Sequence, residues 1–144
     1  MGFSKYDRRV VPVLDHVQVM MPEGGEDDAR RFYAGILGLT EVEKPEPMQA
    51  NGGVWFAEGI HVSGEAGFSP PPRAHPALRV DDIDSLAEAL AAAGCDVSWD
   101  ERWPGVRRFY TRDPFGNRVE ALSGRDLGGE RPSVGRLPHP AGMS

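Results

Sequence analysis

Three histidines and a glutamate, His16, His61, His75 and Glu120, have the types and spacing of a metal centre. His16 and His75 lie 59 residues apart, and so do His61 and Glu120. Three imidazoles and a carboxylate form a borderline donor set, suited to a divalent Zn, Fe, Ni, Co or Mn ion. With four protein ligands, one or two positions remain for water or for a bidentate oxygen substrate. A hydroxycarbonyl, an enediolate or a catecholate would fit, and the ion would stabilise the developing oxyanion as a Lewis acid. Glu120 or His61 would serve as the acid–base group by partly leaving the metal. Taken singly, each residue has a blander explanation. A lone histidine is more often partly buried and bonded to backbone, and Glu120 alone reads as a solvent-facing charge on an edge strand. The paired spacing favours chemistry.

Those residues must be positioned by strands. Val10 to Met21 reads as a strand ended by Pro22-Glu-Gly-Gly. Ala29, Phe32, Tyr33, Ile36 and Leu37 form one helical stripe over Glu26–Leu37, with acidic residues in the first turn and Gly38 past the end. Leu39–Glu43 reads as a short strand and Pro45 opens a loop. Val54–Ala57 and Ile60–Ser63 read as a hairpin around Glu58-Gly59. After the extended spacer Ser69-Pro-Pro-Pro-Arg the order repeats. His75–Val80 is a strand. Ile83, Leu86, Ala87, Leu90 and Ala91 form a second stripe, with Asp82 or Asp84 as N-cap and Ser85-x-x-Glu88 at capping-box spacing. Asp96–Trp99, Arg107–Thr111 and Arg118–Leu122 are three more strands, the last two joined by the turn Asp113-Pro-Phe-Gly-Asn.

The expected fold class is therefore α+β: two tandem βαβββ modules forming a curved mixed sheet around a concave site, with helices outside. The expected organisation is one domain over 10–124, with module one at 10–67, a linker at 68–73 and module two at 74–124. Residues 1–9 and 125–144 are terminal extensions, and the Gly- and Pro-rich tail reads as disordered. Strand alternation puts His16, His61, His75 and Glu120 on the polar faces, opposite aliphatic faces that pack on the helices. Arg79 shares its face with His75 and is a candidate for an anionic substrate group. Trp55, Trp103 and Arg108 are candidates for the mouth of the cup. Glu65 shares a face with His61 but lies about 13 Å along the strand, so the two cannot bind one ion without a bulge. Trp99, Trp103, Phe109 and Tyr110 otherwise read as core or dimer packing, and Cys95 as a small core residue.

Composition narrows the classes. The chain has 144 residues, with 16 basic against 22 acidic, a formal net charge of −6. That balance argues against a general electrostatic grip on nucleic acid or anionic lipid. The single cysteine allows no intrachain disulfide and no thiolate cage. No apolar run approaches the about 20 residues that span a membrane, and a cytoplasmic protein is expected.

Four segments, Leu14-Asp-His-Val-Gln-Val, Phe32-Tyr-Ala-Gly-Ile-Leu-Gly-Leu, His75-Pro-Ala-Leu-Arg-Val-Asp-Asp and Asp113-Pro-Phe-Gly-Asn-Arg-Val-Glu-Ala-Leu, resemble the vicinal oxygen chelate superfamily in order and spacing. That group includes glyoxalase I, extradiol dioxygenases, fosfomycin-resistance thiol transferases, methylmalonyl-CoA epimerase and bleomycin-resistance proteins. The resemblance implies metal positions at His16, His75 and Glu120, with His61 at the fourth. Members of glyoxalase I type usually carry Glu there and the epimerases Gln, so His61 is a departure. The resemblance implies a divalent-metal-dependent lyase, isomerase or dioxygenase acting on a small oxygenated molecule, and a homodimer that covers sheet edges. The alternative is a metal-free protein that sequesters a flat or hydrophobic small molecule, as resistance proteins do.

Overall fold

The computed structural model describes residues 10–124; the terminal extensions and His139 lie outside them. Each module is a βαβββ unit. The first runs β1 (Val17–Pro22), helix α1 (Glu26–Ala29, continued over Arg30–Ile36), β2 (Glu41–Val42), a short helix α2 (Glu46–Gln49), β3 (Val54–Phe56) and β4 (Ile60–Glu65). The second runs β5 (Ala77–Arg79), α3 (Ile83–Ala92), β6 (Ser98–Asp100), β7 (Arg107–Arg112) and β8 (Arg118–Ser123). The strand orders are β1-β4-β3-β2 and β5-β8-β7-β6, so the modules repeat one topology in two four-stranded mixed sheets. In each, the first strand runs parallel to the last, which is also paired antiparallel to the strand before it.

The expected alternation holds. Val19, Met21, Val54, Phe56, Ile60 and Val62 are buried on one side of the first sheet. Phe109, Val119 and Ala121 are buried on one side of the second. Ala29, Phe32 and Tyr33 from α1 and Ile83 and Leu90 from α3 join them in one apolar core. Burial of each large side chain there contributes about 1.5–3 kcal/mol.

Several boundaries differ from expectation. Helix α1 is α-helical only over Glu26–Ala29 and continues as a π-helix over Arg30–Ile36. The amide of Leu37 donates to the carbonyl of Phe32, five residues back, at 3.0 Å. Ile36 and Leu37 of the expected stripe are only half-buried. The strand expected from Val10 begins at Val17, because its partner β4 begins at Ile60, directly opposite. Val10, Val11, Val13 and Leu14 precede that ladder and are exposed. Pro45 precedes the helix α2 where a loop was expected. Asp82 caps α3, accepting from the Ser85 amide at 3.1 Å and its hydroxyl at 2.7 Å. Ser85 is therefore the third residue of the helix and does not start a capping box.

The modules are clasped together at the β7–β8 turn. Asp113, 5% exposed, accepts four hydrogen bonds: from the Tyr33 hydroxyl (2.7 Å), the Phe115 amide (2.9 Å), and the Asn117 amide and side chain (both 2.8 Å). Asn117 also donates to the Met20 carbonyl in β1 at 2.7 Å. One carboxylate thus ties the turn of module two to the helix of module one, and its amide neighbour ties it to the first strand. Burial, and then the nearby Asp113 charge, push the Tyr33 phenol far above its usual pKa, so it stays a donor.

Candidate functional site

The polar face of the first sheet carries a three-ring stack. His61 sits in β4, opposite Trp55 of β3 and Gln18 of β1. Its ring lies 4.1 Å from Trp55 on one side and 4.0 Å from His16 on the other, nearly parallel to both. Burial, and then the neighbouring His16, lower the pKa of His61, which favours the neutral ring. His16 Nδ1 lies 2.8 Å from the Asp15 carboxylate. A carboxylate accepts, so Nδ1 donates and Nε2 is left with its lone pair.

The polar face of the second sheet centres on Glu120, 5% exposed in β8, which is flanked by β5 and β7. It is an interior-strand residue, not an edge charge. Arg108 donates to its Oε1 at 2.9 Å, and His75 Nε2 lies 3.2 Å from Oε2. His75 Nδ1 lies 2.7 Å from the Arg73 carbonyl, which can only accept, so Nδ1 carries the hydrogen. A neutral His75 then aims a lone pair at a carboxylate. Two electron-rich groups facing each other require a positive charge: a proton on Nε2, or a cation bound by both. Their 3.2 Å separation is also the span of adjacent ligands each about 2.1 Å from one ion. His75 and Glu120 therefore fit a metal, and His16 is prepared in the same way by Asp15. His61 fits less simply. An imidazole binds an ion in its ring plane, and two stacked, near-parallel rings with centroids 4.0 Å apart do not aim at one ion. Joint ligation by His16 and His61 requires one ring to turn.

The structure joins the four candidates as two pairs, His16 with His61 and His75 with Glu120. Among the described residues, no group of three or more His, Cys, Asp or Glu is placed to hold one ion. Of the other candidates, Trp55 stacks on His61 and Arg108 holds Glu120. Trp103 and Arg108 line a cavity of about 380 Å³ with Trp99 and Asp100. Arg79 is exposed on the Glu120 face, at the end of β5 away from His75. Glu65 is exposed at the end of β4. Sequence reasoning missed Asp15, the neighbour that orients His16, and Tyr110, whose ring makes a T-shaped contact with His75, centroids 5.4 Å apart. Alternation could have found Tyr110, because it shares parity with Arg108.

The family model for the Glyoxalase/Bleomycin resistance protein/Dioxygenase superfamily matches residues 14–121. The chain belongs to this superfamily. A crystal structure from Bacillus anthracis, described as a glyoxalase family protein, is 42% identical with a TM-score of 0.76, covering 80% of this chain and 97% of that one. Lactoylglutathione lyase from Agrobacterium tumefaciens is 24% identical with a TM-score of 0.62, over 83% and 99%. A mutant fosfomycin resistance protein from Listeria monocytogenes, complexed with Mn(II) and dihydroxypropylphosphonic acid, is 17% identical with a TM-score of 0.66, over 80% and 94%. The last two likenesses concern the fold. No curated protein matches the chain. No helix among the described residues is long and apolar enough to cross a membrane.

Proposed function

We propose that this superfamily member is a divalent-metal-dependent enzyme acting on a small oxygenated molecule by bidentate chelation, as an isomerase, lyase or dioxygenase. The observation that carries the reading is the His75–Glu120 pair, whose facing lone pairs call for a proton or a shared cation and have the spacing of two ligands on one ion. His16, His75 and Glu120 would hold the ion, with His61 beside them. When bound, the ion supplies Lewis-acid stabilisation of an oxyanion. The protein's own groups do the rest. Arg108 occupies Oε1 of Glu120 and leaves Oε2 toward His75. His61, kept neutral between Trp55 and His16, accepts a proton from bound substrate.

The site is proposed to form between two copies of the chain. The two pairs lie on separate sheets, each on the side away from the shared core. A homodimer would bring the His16 face of one protomer to the His75–Glu120 pair of its partner. Mixing His16→Ala with Glu120→Ala tests this, because each heterodimer regains one intact site. Random exchange restores about a quarter of wild-type metal sites; none restored, with exchange confirmed, refutes the shared site.

A second reading rests on the same contacts. Arg108 and a protonated His75 satisfy Glu120 without an ion, and the Trp55–His61–His16 stack offers a flat surface to a sequestered ligand. Competition titration with a chromophoric chelator separates the two. The enzyme reading expects tight binding of at least one of Zn, Fe, Ni, Co or Mn, weakened at least tenfold in His75→Gln. Equal weak binding by both proteins favours sequestration.

A further inference from the structure

Arg118 lies two residues before Glu120 on the same face of β8, and its guanidinium carbon stands 3.7 Å above the centre of the Tyr110 ring. Tyr110 is directly opposite Glu120 in β7 and makes a T-shaped ring contact with His75. Stacking fixes the plane of the guanidinium and leaves its N–H groups at the rim. Arg118 is half-buried, yet no carboxylate among the described residues pairs with it. Three other arginines of the second module differ. Arg108 is paired with Glu120 and Asp100, Arg107 with Asp84 and Arg102 with Asp100. The residue directly across from Arg118 is Arg112, whose guanidinium donates to the Gly116 carbonyl at 3.0 Å. Like charges directly opposite in a ladder are destabilising. Among the described residues neither arginine is ion-paired, and the two stand opposite each other next to the candidate metal pair in a chain of net charge −6.

We propose that Arg118, stacked on Tyr110 and opposed by Arg112, is the subsite for an oxyanion group of the substrate, a carboxylate or a phosphonate. The inference rests on the proposed site in naming its substrate class, since a ligand on Glu120 and His75 would extend toward Arg118. The planar fork of Arg118 would take two oxygens of the anion, and Arg112 would supply a second cation from across the strand. The anion would also relieve the repulsion between the two arginines, so the unliganded protein sacrifices some stability to keep the subsite open.

The experiment uses the full chain and two probes, methylphosphonate and acetate, titrated separately with and without EDTA. Binding is read by NMR chemical-shift perturbation and by thermal shift. Wild type should show saturable binding of at least one probe that persists in EDTA. Arg118→Gln should weaken it at least tenfold, with an unliganded melting temperature equal to or above that of wild type. Arg118→Lys should recover part of the affinity, and Arg31→Gln, which removes an arginine elsewhere, should leave it unchanged. The probe that saturates first identifies the oxyanion. Binding equal in wild type and Arg118→Gln, or an equal loss in Arg31→Gln, overturns the subsite. Because the EDTA arm contains no available metal, failure of the metal reading would leave this result standing, and the reverse also holds.

Discussion

Removing the Asp113 carboxylate should unfasten the two modules. Asp113 accepts four hydrogen bonds and is 5% exposed. In Asp113→Ala the Tyr33 hydroxyl, the Phe115 and Asn117 amides and one Asn117 side-chain hydrogen lose their acceptor. A buried orphaned donor costs about 1–3 kcal/mol, and partial access to water at the turn lowers the sum. The expected destabilisation is about 3–5 kcal/mol, a fall in melting temperature on the order of 10–20 °C for a domain of this size. Tyr33→Phe removes one donor and leaves the carboxylate with three, so it should cost about 1.5–3 kcal/mol. Urea denaturation of wild type, both single variants and the double variant gives the cycle. The two effects should be less than additive, because the Tyr33–Asp113 bond is counted in both single variants. A cost below about 1 kcal/mol for Asp113→Ala, or full additivity, would refute the clasp.

Other predictions can be checked with the same protein. Gly53 has φ +89°, and an added Cβ would lie 2.7 Å from the Val62 carbonyl oxygen, so Gly53→Ala should cost at least about 2 kcal/mol in denaturant melts. Arg102, and more weakly Arg108, hold the Asp100 carboxyl well below the ordinary carboxylate range. Its contribution is complete above the unfolded pKa of about 4 and is lost as pH falls toward the lower folded value. The stability gap between wild type and Asp100→Asn should therefore be full at pH 7 and shrink progressively below about pH 4; a constant gap would contradict it. Asp15→Asn should weaken metal binding about tenfold by releasing His16 from its orienting carboxylate, as measured by competition titration.

The repeat, the strand faces and the helical stripes were legible in the sequence, because alternation and 3.6-residue periodicity are local records of burial. Val19, Met21, Val62 and Phe109 point inward as their parity requires. The π-helix at Arg30–Ile36 was not legible, since its apolar positions also satisfy an α-helical stripe. Strand starts were misjudged for Val10 and His75 because a strand extends only as far as its partner, and pairing is a tertiary fact. Of the candidate site residues, the strand faces were legible. Their grouping into two pairs was not, because which strands share a sheet is a tertiary fact. The Asp113 clasp read only as a turn, since its Tyr33 partner is 80 residues away.

Elemental analysis of the full chain, purified without chelator or affinity histidines and reloaded with divalent ions, tests the central claim most directly when paired with Glu120→Ala. Near-stoichiometric metal is expected in wild type, and its loss in a variant that remains folded. Metal absent from both proteins, or bound equally by both, would contradict it.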